Sequence, residues 1–167
     1  MRKLILSAFL LAAGTITFAQ KLDDVQEKIK KGKWSEAREK LDKADAKTQA
    51  TSEFLYYKAQ VYSALAKESN DSSLQAAALQ AAQQYYTMES AGGSKSMLMA
   101  IMDNHRAAIQ VHDTYYLAGI KDLQSQRWQS AYNNLTGSIA AYDLLYKNKV
   151  VASPLDTTSV LYAGYAA

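Results

Sequence analysis

A chain of 167 residues with no cysteine can form neither a disulfide nor a thiolate site, and one proline with seven glycines is too few for a loop-rich all-β protein. The formal charge of +3 falls to +1 once Arg2 and Lys3 are set aside, and acidic and basic residues are intermixed, which excludes a basic stripe for nucleic acid. Alanine, leucine, lysine and glutamine, all good helix formers, are abundant, so an all-α fold is expected.

Residues 1–19 have the layout of a secretory signal peptide: Arg2 and Lys3, an apolar run from Leu4 to Ala13, then small residues ending at Ala19. The run is shorter than the roughly 20 residues needed to span a bilayer, so cleavage after Ala19 is expected rather than an anchor. A mature chain 20–167 follows, exported to the periplasm, with secretion as the alternative and no integral membrane segment. The missing cysteine also excludes a lipid-modified anchor.

The first helical unit, about 20–50, contains "KKGKWSEAREKLDKA", in which Gly32, Trp34 and Ala37 interrupt a charged helix. Glu36 with Lys40 and Glu39 with Lys43 are i,i+4 pairs on its solvated face. A second unit, about 51–91, opens with "SEFLYYKAQVYSALA", placing Ala59 34 residues after Val25. Its second helix comes late, so "KESNDSS", Lys67 to Ser73, reads as an enlarged turn. "AGGSKS" then stops a helix, and an extra helix is expected over about 95–111, either separate from or continuous with the first helix of the third unit.

The third unit, about 112–150, has Gly119 inside its first helix and "SQRWQSA" at the start of its second. Trp128 stands three residues before Ala131 and Leu135 four beyond, as Trp34, Ala37 and Leu41 do in the first unit. Gly119 costs ~1 kcal/mol against alanine in a helix interior, which requires another helix pressed against it. Pro154 and Asp156 supply a stop and an N-cap for an incomplete fourth unit from about 157, with Gly164 at the small place. Its last ten residues carry no charge, so truncation within a longer chain is expected.

Gly32, Trp34, Ala37, Leu41 and Ala44, repeated through Ala59, Gly119, Trp128, Ala131 and Gly164, resemble the tetratricopeptide repeat, a 34-residue helix-turn-helix unit. The resemblance implies a right-handed solenoid of helical hairpins, of the type exported by Bacteroidota. It also implies that first helices line a concave groove. On that face Tyr56 and Tyr116 would form a tyrosine ladder with Tyr162, at the place of Leu22 in the first unit. Gln26, Gln60, Ile120 and Tyr165 would lie beside it. The lysine–asparagine set with which some members hold a C-terminal carboxylate is not matched.

No nucleophile elbow, phosphate loop or paired-carboxylate arrangement stands in the chain, so no enzyme, cofactor or metal is expected. His105 and His112 are seven apart, about 10 Å along a helix, too far to share one zinc, and read as surface or packing histidines. A large rigid ring with a hydroxyl suits peptide capture, so a noncatalytic scaffold or adaptor binding a protein or peptide is the expected function. The alternatives are the front domain of a longer envelope protein with an enzymatic or cell-wall-binding module beyond Ala167, or a structural homo-oligomer.

Overall fold

The computed structural model describes residues 22–92 and 97–167; the expected signal peptide, its cleavage point and residues 93–96 of the glycine-serine stretch lie outside them. Every element among the described residues is helical, and no strand occurs there. Nine helices follow in order: α1 (22–30), α2 (Trp34–Asp42), α3 (Ala46–Gln49), α4 (Ser52–Ser69), α5 (Ser72–Ala91), α6 (Leu98–Met102), α7 (Arg106–Gln124), α8 (Trp128–Lys147) and α9 (Thr157–Ala166).

Local chemistry sets the boundaries. After α1, Gly32 turns the backbone left-handed at φ +67°, and the Lys33 N–H donates back to the Lys28 carbonyl at 2.9 Å. Gln126 takes the same place after α7 at φ 56°, with the Arg127 N–H on the Asp122 carbonyl at 2.9 Å. These bonds satisfy carbonyls that a helix end would otherwise leave open. Side-chain oxygens cap the starts: Thr51 accepts from the Phe54 N–H, Asp71 from Ser73 and Leu74, and Asp156 from Ser159.

The enlarged turn expected at Lys67 to Ser73 is mostly helix. α4 continues to Ser69, whose hydroxyl donates to the Leu65 carbonyl at 2.8 Å, and only Asn70 and Asp71 lie between α4 and α5. The extra residues lengthen the helix because Lys67 and Glu68 continue it readily and left-handed Asn70, at φ 57°, ends it. The helix expected over about 95–111 is broken at residues 103–105 into α6 and α7, and α7 runs on without interruption as the first helix of the third unit.

Consecutive helices pair. Lys28 bonds Glu36 at 2.6 Å and Lys40 bonds Asp24 at 3.1 Å, which fixes α1 and α2 as antiparallel; the expected Glu36–Lys40 pair is replaced by these cross-helix bonds. α4 packs on α5 and α7 on α8, while α2 meets α4, α5 meets α7 and α8 meets α9. α4 also lies beside α7, and α7 beside α9. Small residues let these helices close: Ala37, Ala59 and Ala131 are fully buried. A Cβ at Gly119 would come within 2.7 Å of Leu135 Cγ, so the helix pressed against that glycine is α8. Leu41 and Leu135 are buried beside these crossings, each contributing roughly 1.5–3 kcal/mol of apolar burial. Gly164 has open space around it instead. Among the described residues no helix is long and apolar enough to cross a membrane.

Candidate functional site

A cleft of about 620 Å³ opens where α1, α4 and the start of α7 come together. Gln26, Ile29 and Lys30 of α1 form one wall, Tyr56, Tyr57 and Gln60 of α4 the floor, and Met99, Met102, Asp103 and Arg106 the opposite side. Trp34 and Gln110 line this cleft and also a second one of about 490 Å³, which adds Ser63, Lys67, Glu68 and Asp113. Side chains of both signs and several apolar ones therefore share one continuous face.

At the floor, one carboxylate gathers two donors. The Tyr56 hydroxyl donates to Asp103 Oδ2 at 2.8 Å and Gln60 Nε2 donates to the same oxygen at 2.5 Å; Arg106 Nε stands 3.5 Å from the other oxygen. Positions 56 and 60 face the same way because residues four apart lie one above the other on a helix. Burial, then the Asp103 hydrogen bond and charge, pushes the Tyr56 phenol far above its ordinary pKa, so it stays a donor. Two neighbours hold the same segment: the Ala100 N–H donates to the Tyr85 hydroxyl at 3.2 Å, and the Tyr86 hydroxyl bonds His105 Nδ1 at 2.8 Å. Burial pushes Tyr85 up to about 12 and lowers His105, whose ring also stacks on Tyr86 with centroids 6.0 Å apart. The turn between α6 and α7 is strained: Asn104 at φ 50° and His105 at φ 54° are consecutive left-handed residues, and for His105, unlike Asn104, this costs roughly 1–2 kcal/mol.

The residues expected to form one ladder are dispersed. Tyr56 and Gln60 are buried, 2% and 3% exposed, and their polar atoms bond Asp103. The Tyr56 ring packs against Tyr85 at 5.1 Å. Tyr116 is half-buried and stacks on His112, and Ile120 is half-buried beside it in sequence; neither lines the cleft. Tyr162 stands two residues before Gly164, not three, so it is turned about 100° from the place of Tyr56 and Tyr116, and Leu161 holds that place. Tyr165 is 75% exposed with its ring edge on Trp128. Leu22, the residue of the first unit at that place, is buried, and Gln26 lines the cleft.

Of the residues read as structural marks, Gly32 makes its turn, and Trp34 packs half-buried against the core. Trp128 keeps 44% of its surface exposed against Tyr165, so it fills its turn only in part. His105 and His112 have separate partners: His112 bonds Asp113 at 3.1 Å and Asp156 at 3.0 Å. Among the described residues no group of three His, Cys, Asp or Glu side chains is arranged to hold a metal ion.

A helix expected through Met99, Met102, Asp103 and Arg106 gives none of the four a place on the binding face. The nearest signal is "MDNH", since Asn readily leaves a helix for the left-handed region, as Asn104 does; an Asp/Asn pair is not sufficient, because Asn133 and Asn134 stay helical within α8. Comparison with protein-family models, with curated proteins and with solved structures found no match to this chain.

Proposed function

We propose that this chain is a noncatalytic protein-interaction scaffold of the cell envelope, a right-handed solenoid of tetratricopeptide-like hairpins that holds a peptide or partner protein on the face of its first helices. One observation carries the reading: a cleft of about 620 Å³ lies on that face, between α1, α4 and α7, with tyrosine rings and a hydrogen-bonded carboxylate at its floor and charged side chains at its rims. The order of packing supports the solenoid, since each second helix meets the first helix of the next hairpin. The exported signal segment supports a periplasmic site of action.

The test uses exposed rim residues, so that loss of binding is not loss of folding. Lys30→Glu and Arg106→Glu together, with circular dichroism unchanged, are expected to remove the partner recovered by crosslinking in the native envelope. Recovery of the same partner at the same yield sinks the reading. A second reading, self-association, draws on α9, where Leu161 and Tyr165 are 69% and 75% exposed and Gly164 meets open space. Sedimentation from low to high micromolar concentration separates the two, and a constant monomer disposes of self-association.

A further inference from the structure

We propose that residues 97–105, α6 with its following turn, are an internal occupant of the interaction face, and that Asp103 fills a carboxylate seat which an acidic side chain of the partner takes when the segment lifts away. The inference rests on the interaction-face reading above and adds the chemistry of the partner and the regulation of the site.

The seat has the character of a recognition site. Tyr56 and Gln60, both buried, aim two donors at one oxygen, and Arg106 stands 3.5 Å from the other. An ionised carboxylate accepts at both oxygens, whereas a carboxamide presents a donor at one end and would turn it toward Arg106 or toward the two donors. Asp103 meets this seat from 47 residues away in sequence relative to Tyr56, so it is brought there by the tertiary fold and acts as a foreign side chain would.

The occupant is held in a way that allows release. α6 is five residues long and fully buries only Ala100; Met97 and Met99 pack partly buried against the core, while Leu98, Ile101 and Met102 are 60%, 54% and 77% exposed. Lifting it therefore exposes the apolar area of Met97, Met99 and Ala100, and nothing more is lost at Leu98, Ile101 and Met102, which are already in water. Beside the apolar contacts of Met97, Met99 and Ala100, three polar attachments hold it: Asp103 in the seat, the Ala100 N–H on Tyr85, and His105 on Tyr86. Asn104 and His105 are held left-handed while it is docked, and that strain relaxes when it opens. A segment with few buried apolar contacts and a strained hinge belongs to the low-stability end of a fold, where binding elements are found. Lifting it bares Tyr56, Gln60, Tyr85 and Tyr86 together.

Two measurements on the full chain and its variants test this. By hydrogen exchange, amides of 97–106 are expected to exchange through local opening, faster than those of α4 and α7, and Asp103→Asn is expected to speed them at least tenfold with α4 and α7 unchanged. Exchange of 97–106 as slow as that of α4 overturns the proposal. In the second measurement the probe is a labelled, terminally blocked peptide with the chain's own sequence from Met97 to Arg106, added to a variant whose residues 97–105 are replaced by glycine and serine. The peptide with Asp is expected to bind this variant at least tenfold more tightly than the same peptide with Asn, and at least tenfold more tightly than it binds the intact chain. Equal binding of the Asp and Asn peptides overturns the seat. Should the replacement variant fail to fold, hydrogen exchange alone decides. Slow exchange combined with partner loss in the rim variants overturns the internal occupant and leaves the interaction face standing. Opening with Asp-selective binding, but an unchanged partner in the rim variants, supports the seat and overturns the face.

Discussion

The turns closing the first and third hairpins have the same backbone and opposite chemistry. Lys33 and Arg127, ninety-four residues apart, sit at φ −89° with ψ 66° and 67°, each following a left-handed residue, and each N–H bonds the carbonyl five residues back at 2.9 Å. In the first hairpin the clasp is an exposed anion: Glu36 accepts from Lys28 and Lys33 across the turn, and those hydrogen bonds hold its carboxyl down at about 2. In the third the anion moves to the other helix. Asp122, only 3% exposed, accepts from Arg127, Ser130 and Asn134, where the first hairpin has Lys28. What repeats is thus the backbone and the small residue behind it; the clasp is free to exchange charge sign as long as one carboxylate is satisfied.

The largest difference between the hairpins is expected at these carboxylates. Asp122→Ala leaves three donors facing a buried void and is expected to cost about 2–3 kcal/mol in urea unfolding, below the full penalty of a buried pair because Arg127 is half exposed. Glu36→Ala, wholly at the surface, is expected to leave the urea midpoint unchanged; an equal loss at both sites would refute the contrast.

Next comes the small place of the first helices. Gly119→Ala drives a methyl into Leu135 and is expected to lose about 1–3 kcal/mol, whereas Gly164→Ala meets open space and is expected to gain up to about 1 kcal/mol from helix propensity. Thermal melts of the two variants should move in opposite directions.

A smaller pair probes the left-handed residue. Gln126→Gly is expected to stabilise by about 1 kcal/mol, and Gly32→Ala to destabilise by a similar amount, since both positions hold positive φ. Chemical denaturation of both variants checks the symmetry.

The smallest expected effect is a pH dependence. Burial works to raise the Asp122 carboxyl, but the Ser130 and Arg127 hydrogen bonds and the Arg127 charge outweigh it and hold the group below the usual carboxylate range. A depressed folded value means that its contribution is fully present above the unfolded value of about 4 and is lost as pH falls through the folded value. The stability gap between the native chain and Asp122→Asn should therefore stay constant from neutral pH down to about 5 and close at lower pH. A gap that widens on acidification would show that Asp122 is not held ionised.

Where chemistry acts over one or two helical turns, the sequence was readable. Gly32, the Asp156 cap, and the glycine at 119 that demanded a close neighbour all stand where local rules placed them. The failures are instructive for the same reason. Repeat spacing predicts a turn over Lys67 to Ser73, yet helix propensity carries α4 on to Ser69. Gln126 was invisible as a turn residue because nothing but the backbone bonds around it requires a positive φ.

The candidate site was half legible. Tyr56 and Gln60 stood out as a recurrent helix face, and they do share a face on the cleft floor. That they are buried under Asp103 depends on a contact between residues 47 and 43 positions apart, which no periodicity encodes.

By itself, then, the sequence determined the helical class, the turn at Gly32, the cap at Asp156 and the small residues at which helices cross, because capping, propensity and a left-handed glycine act within a turn or two of the chain. Only the tertiary structure decided which hydroxyl meets which carboxylate. It turned a tyrosine expected to face a partner into the floor of an occupied seat, since burial and long-range hydrogen bonding are properties of packed helices and not of any one of them.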